Sequence, residues 1–264
     1  MNNIRGIYTI WYRDILRFWH DRIRLIGAIS LPLLFLFVFG SGFAGLMGNV
    51  GSGVNFAQFI FPGIIGMTVM MSSFMAGISV VWDREFGFLK EVLVAPINRG
   101  SVAMGKTLGA ATVAMIQGSI IMLFAPLIGV TLGTARAAAM LPMMLLLAIT
   151  MGAFGVLLAT RIRSMEAFQV VTQMLLFPMI FLSGVFVPLD QAPAWMSNVA
   201  MINPATYGIT SIRQIALGQT SGVGSGTWVN LFGQPMTLWS NIGTLAIIGA
   251  VMIGLAVWSF RNQD

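Results

Sequence analysis

Residues Gly100-Ser101-Val102-Ala103-Met104-Gly105-Lys106-Thr107 spell G-x-x-x-x-G-K-T, the pattern of a loop whose backbone N–H groups cradle nucleotide phosphates while the lysine reaches them. That chemistry needs a β-strand before the loop, a soluble helix after it and a downstream apolar strand ending in a magnesium-binding Asp. Here Pro96 and Asn98 precede the match and a long apolar run follows it; the nearest apolar run ending in Asp, 78–83, lies upstream. The match is therefore read as coincidental, with Lys106 expected to snorkel to the headgroups at the start of an apolar helix. The sequence has no cysteine and a single histidine, His20, which removes thiolate nucleophiles, disulfides and imidazole clusters together. Met67, Met70, Met71 and Met75 fall at helical spacing; a thioether copper path is conceivable, but flexible apolar filler is the plainer account.

The densest mixture of charged and apolar side chains is the run 82–96. Within it Phe86, Leu89 and Leu93 lie at i, i+3 and i+7, edged by Glu85, Lys90 and Glu91 and closed by Pro96. A short helix with an apolar stripe of this kind calls for a partner surface; a solvated connector is the alternative. Inside the apolar runs the polar residues are few: Gln117 in one, and Gln169, Thr172 and Gln173 in another. Gln169 and Gln173, four apart, share a helix face with Thr172 nearby. These four would line a substrate path or bond helix to helix, and the residues alone leave both open. No ionisable residue is expected deep in any run, which leaves proton relays, charge-selective filters and acid–base chemistry on lipid without candidates.

The elements that must position these residues follow from composition. The chain has 264 residues, 57% of them hydrophobic and 8% charged, and a mean hydropathy of +0.88. Its solvent is lipid. Six runs free of Asp, Glu, Lys and Arg, at about 25–45, 56–81, 108–130, 137–160, 167–187 and 238–260, are long enough to cross a hydrocarbon core of roughly 30 Å. Unpaired backbone is intolerable there and the short alternating segments of a barrel are missing, so the fold class is all-α, an integral membrane domain spanning 1–264. Twelve of the fourteen Lys and Arg fall on one side of the six spans: Arg5, Arg13, Arg17, Arg22 and Arg24, then Arg84, Lys90, Arg99 and Lys106, then Arg161 and Arg163, then Arg261. Only Arg136 and Arg213 fall on the other, which predicts cytoplasmic termini. A net charge of +6 dispersed in such clusters reports topology and points to no nucleic acid.

Residues 3–22 read as an amphipathic interfacial helix, with Ile4, Ile7, Tyr8, Trp11, Ile15, Phe18 and Trp19 on one side and Arg13, Asp14, Arg17 and Asp21 opposite. An ordinary surface helix is the alternative, and a cleaved signal is a poor fit because the basic segment is too long. Between the last two runs, 188–237 is too apolar for a plain loop and too broken for a span. Pro188, Pro193 and Pro204 interrupt it and leave two short helices, 194–200 and 205–217, read as a re-entrant hairpin. No internal repeat is found, which weakens an inverted-repeat carrier.

At this point the residues resemble a known family. The string Glu85-Phe86-Gly87-Phe88-Leu89-Lys90-Glu91-Val92-Leu93, with Ala95-Pro96, Arg99-Gly100 and Gly105-Lys106, is similar to the cytoplasmic loop of ABC type-2 transporter permeases. Phe61-Pro62-Gly63, Phe181-Leu182-Ser183-Gly184, Pro188-Leu189, Pro193-Ala194-Trp195 and Asn203-Pro204 with Tyr207 resemble that family's second span and the region before its last span. The resemblance is nearest to the drug-resistance and nodulation-factor branch. It implies a six-span permease subunit of the bacterial inner membrane, paired with a second permease copy and a cytoplasmic ABC ATPase. ATP and Mg would sit on that ATPase, with no cofactor or catalytic residue on this chain. The helix of Glu85, Phe86, Leu89, Lys90, Glu91 and Leu93 would be the coupling helix. The implied activity is export of a hydrophobic or amphipathic compound; export of a polysaccharide or lipid-linked glycan is the alternative, and an ATP-independent channel or carrier a more distant one.

Overall fold

A computed structural model describes residues 3–42, 56–75, 77–86, 98–189, 192–218, 230–231 and 234–261. In chain order the helices are α1 (Asn3–His20), α2 (Arg22–Phe37, continued by a π turn Val38–Gly42), α3 (Phe56–Met75), α4 (Ile78–Glu85), α5 (Arg99–Leu123, followed by a 3-10 turn Ala125–Ile128), α6 (Thr134–Arg161), α7 (Met165–Leu182), α8 (Ala194–Ile202), α9 (Pro204–Leu217) and α10 (Leu238–Arg261). The strand content among the described residues is one two-residue antiparallel ladder, Asn230–Leu231 with Gln234–Pro235.

Five helices are long and apolar enough to cross a membrane: Phe56–Glu85 (α3 with α4), Gly100–Leu123, Thr134–Arg161, Met165–Leu182 and Leu238–Arg261. The first apolar run gives a shorter apolar helix, Ile26–Gly40, about 22 Å at 1.5 Å per residue and so short of the hydrocarbon thickness. Arg22 and Arg24 precede it in the sequence, and the π turn at Val38 interrupts its regular ladder. Pro32, Pro62, Pro142 and Pro178 all lie inside helices, as membrane-spanning helices allow when neighbours satisfy the freed carbonyls.

Helix α6 is the centre of the packing: α10, α5, α3 and α9 all lie against it, and α9 also packs on α3 and α10. Such close packing needs small residues, because apolar helices in lipid associate through van der Waals contact rather than water release. A Cβ on Gly66 would meet Ile209, one on Gly208 would meet Leu147, and one on Gly249 would meet Thr150. Gly155 of α6 lies under the Phe74 carbonyl, and Gly77, where α3 gives way to α4, lies against the Gly155 carbonyl. By contrast α7 and α10 are thinly covered, with 22% of each apolar window buried.

Two expectations are corrected. Helix α5 begins at Arg99, about two turns before the apolar run at 108, because the Asn98 side chain accepts a hydrogen bond from Gly100 N and caps it. Residues 100–107 are consequently continuous α-helix and present no phosphate-binding loop. The polar side of α1 is also not wholly outward. Asp14 and Arg13 face the protein, whereas Arg17 and Asp21 are exposed; on the apolar side Phe18 is buried and Trp11 half-buried, with Ile10 buried beside them, while Ile4, Tyr8 and Trp19 are exposed. Asp14 and Arg13 face inward because their partners are there.

Gly155→Val would drive a branched side chain into the Phe74 carbonyl. It should lower stability by about 2 kcal/mol or more, read as a lower melting temperature of the detergent-purified protein, whereas Gly254→Ala, which meets open space, should leave it within about 0.5 kcal/mol.

Candidate functional site

Where α1, α4 and α5 meet, four charged side chains form a network. Lys106 Nζ lies 2.8 Å from Asp83 Oδ2 and 3.4 Å from Asp14 Oδ1, and it donates to Ser79 Oγ at 3.0 Å. Arg13 Nη2 reaches the same Asp83 oxygen at 2.9 Å. The Lys106 side chain is only 3% exposed, so the expectation that it snorkels outward is wrong: a carboxylate on each neighbouring helix holds it inside. Trp11 Nε1 donates to Thr112 Oγ1 at 3.0 Å, and the Arg17 guanidinium lies 4.6 Å over the Trp82 ring. Gly105 and Gly109 of α5 let α1 approach, since a Cβ on either would meet Ile10 or Asp14. Sequence reasoning saw these charges as topology markers. The available signal was Asn98 as a helix cap, which places Lys106 two turns inside α5.

The last turn of α4 ties two further helices together. Arg84 Nη1 donates to the Thr160 and Ile162 carbonyls at 3.2 and 3.1 Å, satisfying acceptors that the end of α6 leaves open. Glu85 Oε2 accepts from Met165 N at 3.2 Å, at the N-terminus of α7, where a carboxylate is favoured; Ser164 caps the same helix end by accepting from Ala167 N. Phe86 follows, exposed, with its ring 5.0 Å from that of Trp82. The remaining residues of the proposed coupling helix, Leu89, Lys90, Glu91 and Leu93, lie outside the described residues.

The four polar residues expected inside the spans separate. Gln117 is 3% exposed and lies in the wall of a half-open cavity of about 560 Å³ between α1, α2, α3, α4 and α5. Thr172 is buried, with no hydrogen-bond partner for its Oγ1. Gln169 and Gln173 are exposed on the outer face of α7, beside Val170, Met174 and Phe177. They do not converge with Gln117.

At the other end, α8 and α9 meet at Asn203, whose side chain caps α9 by accepting from Ala205 N and donates through Nδ2 to the Met179 carbonyl at 2.7 Å. Pro204 takes the first turn of α9, where its missing N–H costs nothing. Tyr207 Oη donates to the Met201 carbonyl at 2.5 Å, closing the angle between the two helices. Pro188 is buried, while Pro193 and Trp195, which start α8, are exposed. Arg213, counted from sequence as a loop charge, is 1% exposed. It donates from Nε to the Phe59 carbonyl at 3.2 Å and from Nη2 to Gly184 and Val185 at 2.8 and 3.3 Å, with its guanidinium 4.0 Å over the Phe59 ring. Gly63 makes the room: a Cβ there would stand 3.1 Å from Arg213 Nη2. Sequence missed this role because the carbonyls come from two distant segments.

Long apolar helices, interrupted by proline and sealed by buried polar groups, define a multi-pass membrane protein. The pattern described as ABC-2 type transporter matches residues 5–217, and the chain belongs to that family. Among its relatives, the transport permease ycf38 of Cyanophora paradoxa is 32% identical over 80% of this chain and 73% of its own. Nodulation protein J of Rhizobium leguminosarum bv. viciae is 27% identical over 80% and 82%. The daunorubicin resistance ABC transporter permease protein DrrB1 of Streptomyces coeruleorubidus is 23% identical over 81% and 76%. Two of these three, ycf38 and DrrB1, are described as permeases.

Lys106→Met should destabilise the protein by about 3 kcal/mol, because it strands two carboxylates in a buried junction; adding Asp83→Leu should recover part of the loss, and thermal melts of the single and double variants check it. Arg213→Met should cost about 2 kcal/mol by leaving the Gly184 and Val185 carbonyls without their donor. Arg213→Lys, which keeps the charge but not the fork of donors, should restore little of the melting temperature.

Proposed function

We propose that this chain is the membrane-spanning permease subunit of an ATP-driven exporter of a hydrophobic or amphipathic compound, with hydrolysis on a separate cytoplasmic ATPase that holds ATP and Mg. The observation that carries the reading is the grip of α4. The helix leading directly into the segment 87–97 holds the end of α6 through Arg84 and the start of α7 through Glu85. A partner docked on Phe86, Leu89, Lys90, Glu91 and Leu93 would therefore act on two spans within one helical turn of its footprint. The drug-resistance and nodulation relatives favour a small amphipathic cargo over a polymer.

In this arrangement Arg22–Gly42 makes the sixth crossing at a slant or through locally thinned lipid. Helix α1 lies at the cytoplasmic interface with Tyr8, Tyr12 and Trp19 toward the headgroups, α8 and α9 form the re-entrant hairpin on the outer side, and both termini are cytoplasmic. The membrane is the bacterial inner membrane. Two permease copies complete the transporter, and the outward face of α7, with Gln169 and Gln173, supplies the substrate path between them, Thr172 being buried behind that face. Amides on a lipid-level face are costly unless another helix or a hydrated path meets them, which supports that placement.

Reconstitution in proteoliposomes, with and without the ATPase subunit, tests the reading. Efflux is expected only with both proteins and ATP; transport or hydrolysis by this chain alone overturns it. Glu91→Lys should lower coupled efflux at least about tenfold, as expected when a charge at a docking interface is reversed, while leaving the melting temperature of the permease unchanged. Equal efflux in the variant would remove the docking role.

A further inference from the structure

The cavity between α1, α2, α3, α4 and α5 has the composition of a binding site, and its chemistry narrows what it takes. Its walls are largely apolar, with Leu31 and Pro32 from α2, Met71 and Met75 from α3 and Val113 from α5. Asp14, Arg17 and Asp21 of α1 stand at its edge, and their charges are already engaged. Asp14 is held by Lys106 and Arg13, Arg17 lies over Trp82, and Asp21 has an interaction of its own. An ion entering would lose its water against largely apolar walls, and the edge charges, of both signs, offset one another. The neutral polar group in the wall is different. Gln117 is 3% exposed, and among the described residues its amide makes no hydrogen bond, whereas Thr68 in the same wall bonds the Ile64 carbonyl. An amide that faces the cavity without a protein partner gains from any occupant that supplies one.

We propose that this cavity binds one molecule of an uncharged, largely apolar amphipath, held by a hydrogen bond between its carbonyl or hydroxyl and the Gln117 amide. The inference rests on the permease reading for its purpose, the capture of cargo before it is moved, but the site stands on the geometry of a single chain. A volume of about 560 Å³ suits one drug-sized molecule. It is separate from the outward face of α7, so capture and passage would use different surfaces of the protein.

Binding is measured on the whole purified chain in lipid nanodiscs without ATPase, using Nile red, a neutral dye with a carbonyl acceptor, and tetraphenylphosphonium as the cationic comparison. Saturable one-to-one binding of Nile red above empty nanodiscs is expected. Gln117→Leu, which keeps the volume, should weaken it about tenfold, the worth of one buried hydrogen bond, and Val113→Trp should abolish it. Because the sequence has no cysteine, Ser72→Cys gives a single thiol in the cavity wall, and Nile red should protect it from a thiol reagent. That readout stands even if Val113→Trp fails to fold. Unchanged binding in Gln117→Leu, no protection of Ser72→Cys, or equal protection by tetraphenylphosphonium would each overturn the proposal. A bilayer lipid already filling the site would show as protection without added dye, and would overturn it in favour of a structural lipid. Efflux with ATPase and ATP in a protein that fails these tests would leave the permease reading intact, and dye binding without coupled efflux would do the reverse.

Discussion

The Lys106–Asp83 pair, 2.8 Å apart with side chains 3% and 10% exposed, determines how the charged end of the molecule is put together. Neither charge can be left alone in so apolar a chain, since an isolated buried ion is far more costly than a paired one. Asp83 belongs to α4 and Lys106 to α5, so the two helices must meet at one height. Asp14 and Arg13 then complete the pairing from α1, which fixes the rotation of that helix. Tyr8, Tyr12 and Trp19 are left facing out while Ile10 and Phe18 pack inward, and the cavity lies between α1 and the spans beside it. One ion pair thus links register, orientation and the space next to them.

The same constraint operates at the other end with different groups. Arg213 donates to carbonyls of Phe59, Gly184 and Val185, and Asn203 to that of Met179. The Met179, Gly184 and Val185 carbonyls lie at or beyond the end of α7, where the helix supplies no N–H, and that of Phe59 lies in the turn before Pro62. Proline-broken helices inside lipid are viable only because such side chains arrive from elsewhere in the chain. Between the two polar ends, the contact surfaces are built on Gly66, Gly155, Gly208 and Gly249, where Ile209, the Phe74 carbonyl, Leu147 and Thr150 occupy the space a Cβ would need.

Much of this was legible in sequence because lipid as solvent makes apolar length and charge placement decisive. The last five apolar runs became spans, and the proline-bounded helices 194–200 and 205–217 were found as Ala194–Ile202 and Pro204–Leu217. The identity of the family was legible too, through motifs at the loop after α4 and around Asn203. What hydropathy could not give was the third dimension of the charges. It treats every Arg and Lys as a topological label, so Lys106 and Arg213 looked like surface residues, and the charged stripe of α1 looked like a solvent face. Their partners lie 23 and 92 residues away for Lys106, and 28 to 154 residues away for Arg213, distances over which local periodicity carries no information. The start of α5 is a different failure, since the cap at Asn98 was present locally and was overridden by the search for uncharged residues.

The distribution of packing indicates which parts move and which hold. Helix α6, surrounded by α3, α5, α9 and α10, has close glycine-mediated contacts and resists displacement, while α7 is covered over only 22% of its apolar window. Helix α4 touches both: Arg84 holds the end of α6 and Glu85 the start of α7. Through Asp83 it also holds Lys106 and, by Arg13, α1. A force applied just beyond Phe86 therefore reaches a fixed helix, a loosely held helix and the wall of the internal cavity through three consecutive residues. Because α6 cannot yield without opening its glycine contacts, and α1 is fastened to α5 by Asp14 on Lys106 and Trp11 on Thr112, the partner of α4 with the least to lose by moving is α7. The outward glutamines proposed as a cargo surface lie on that helix, so a shift at the α4 junction would reach them before any other part of the bundle.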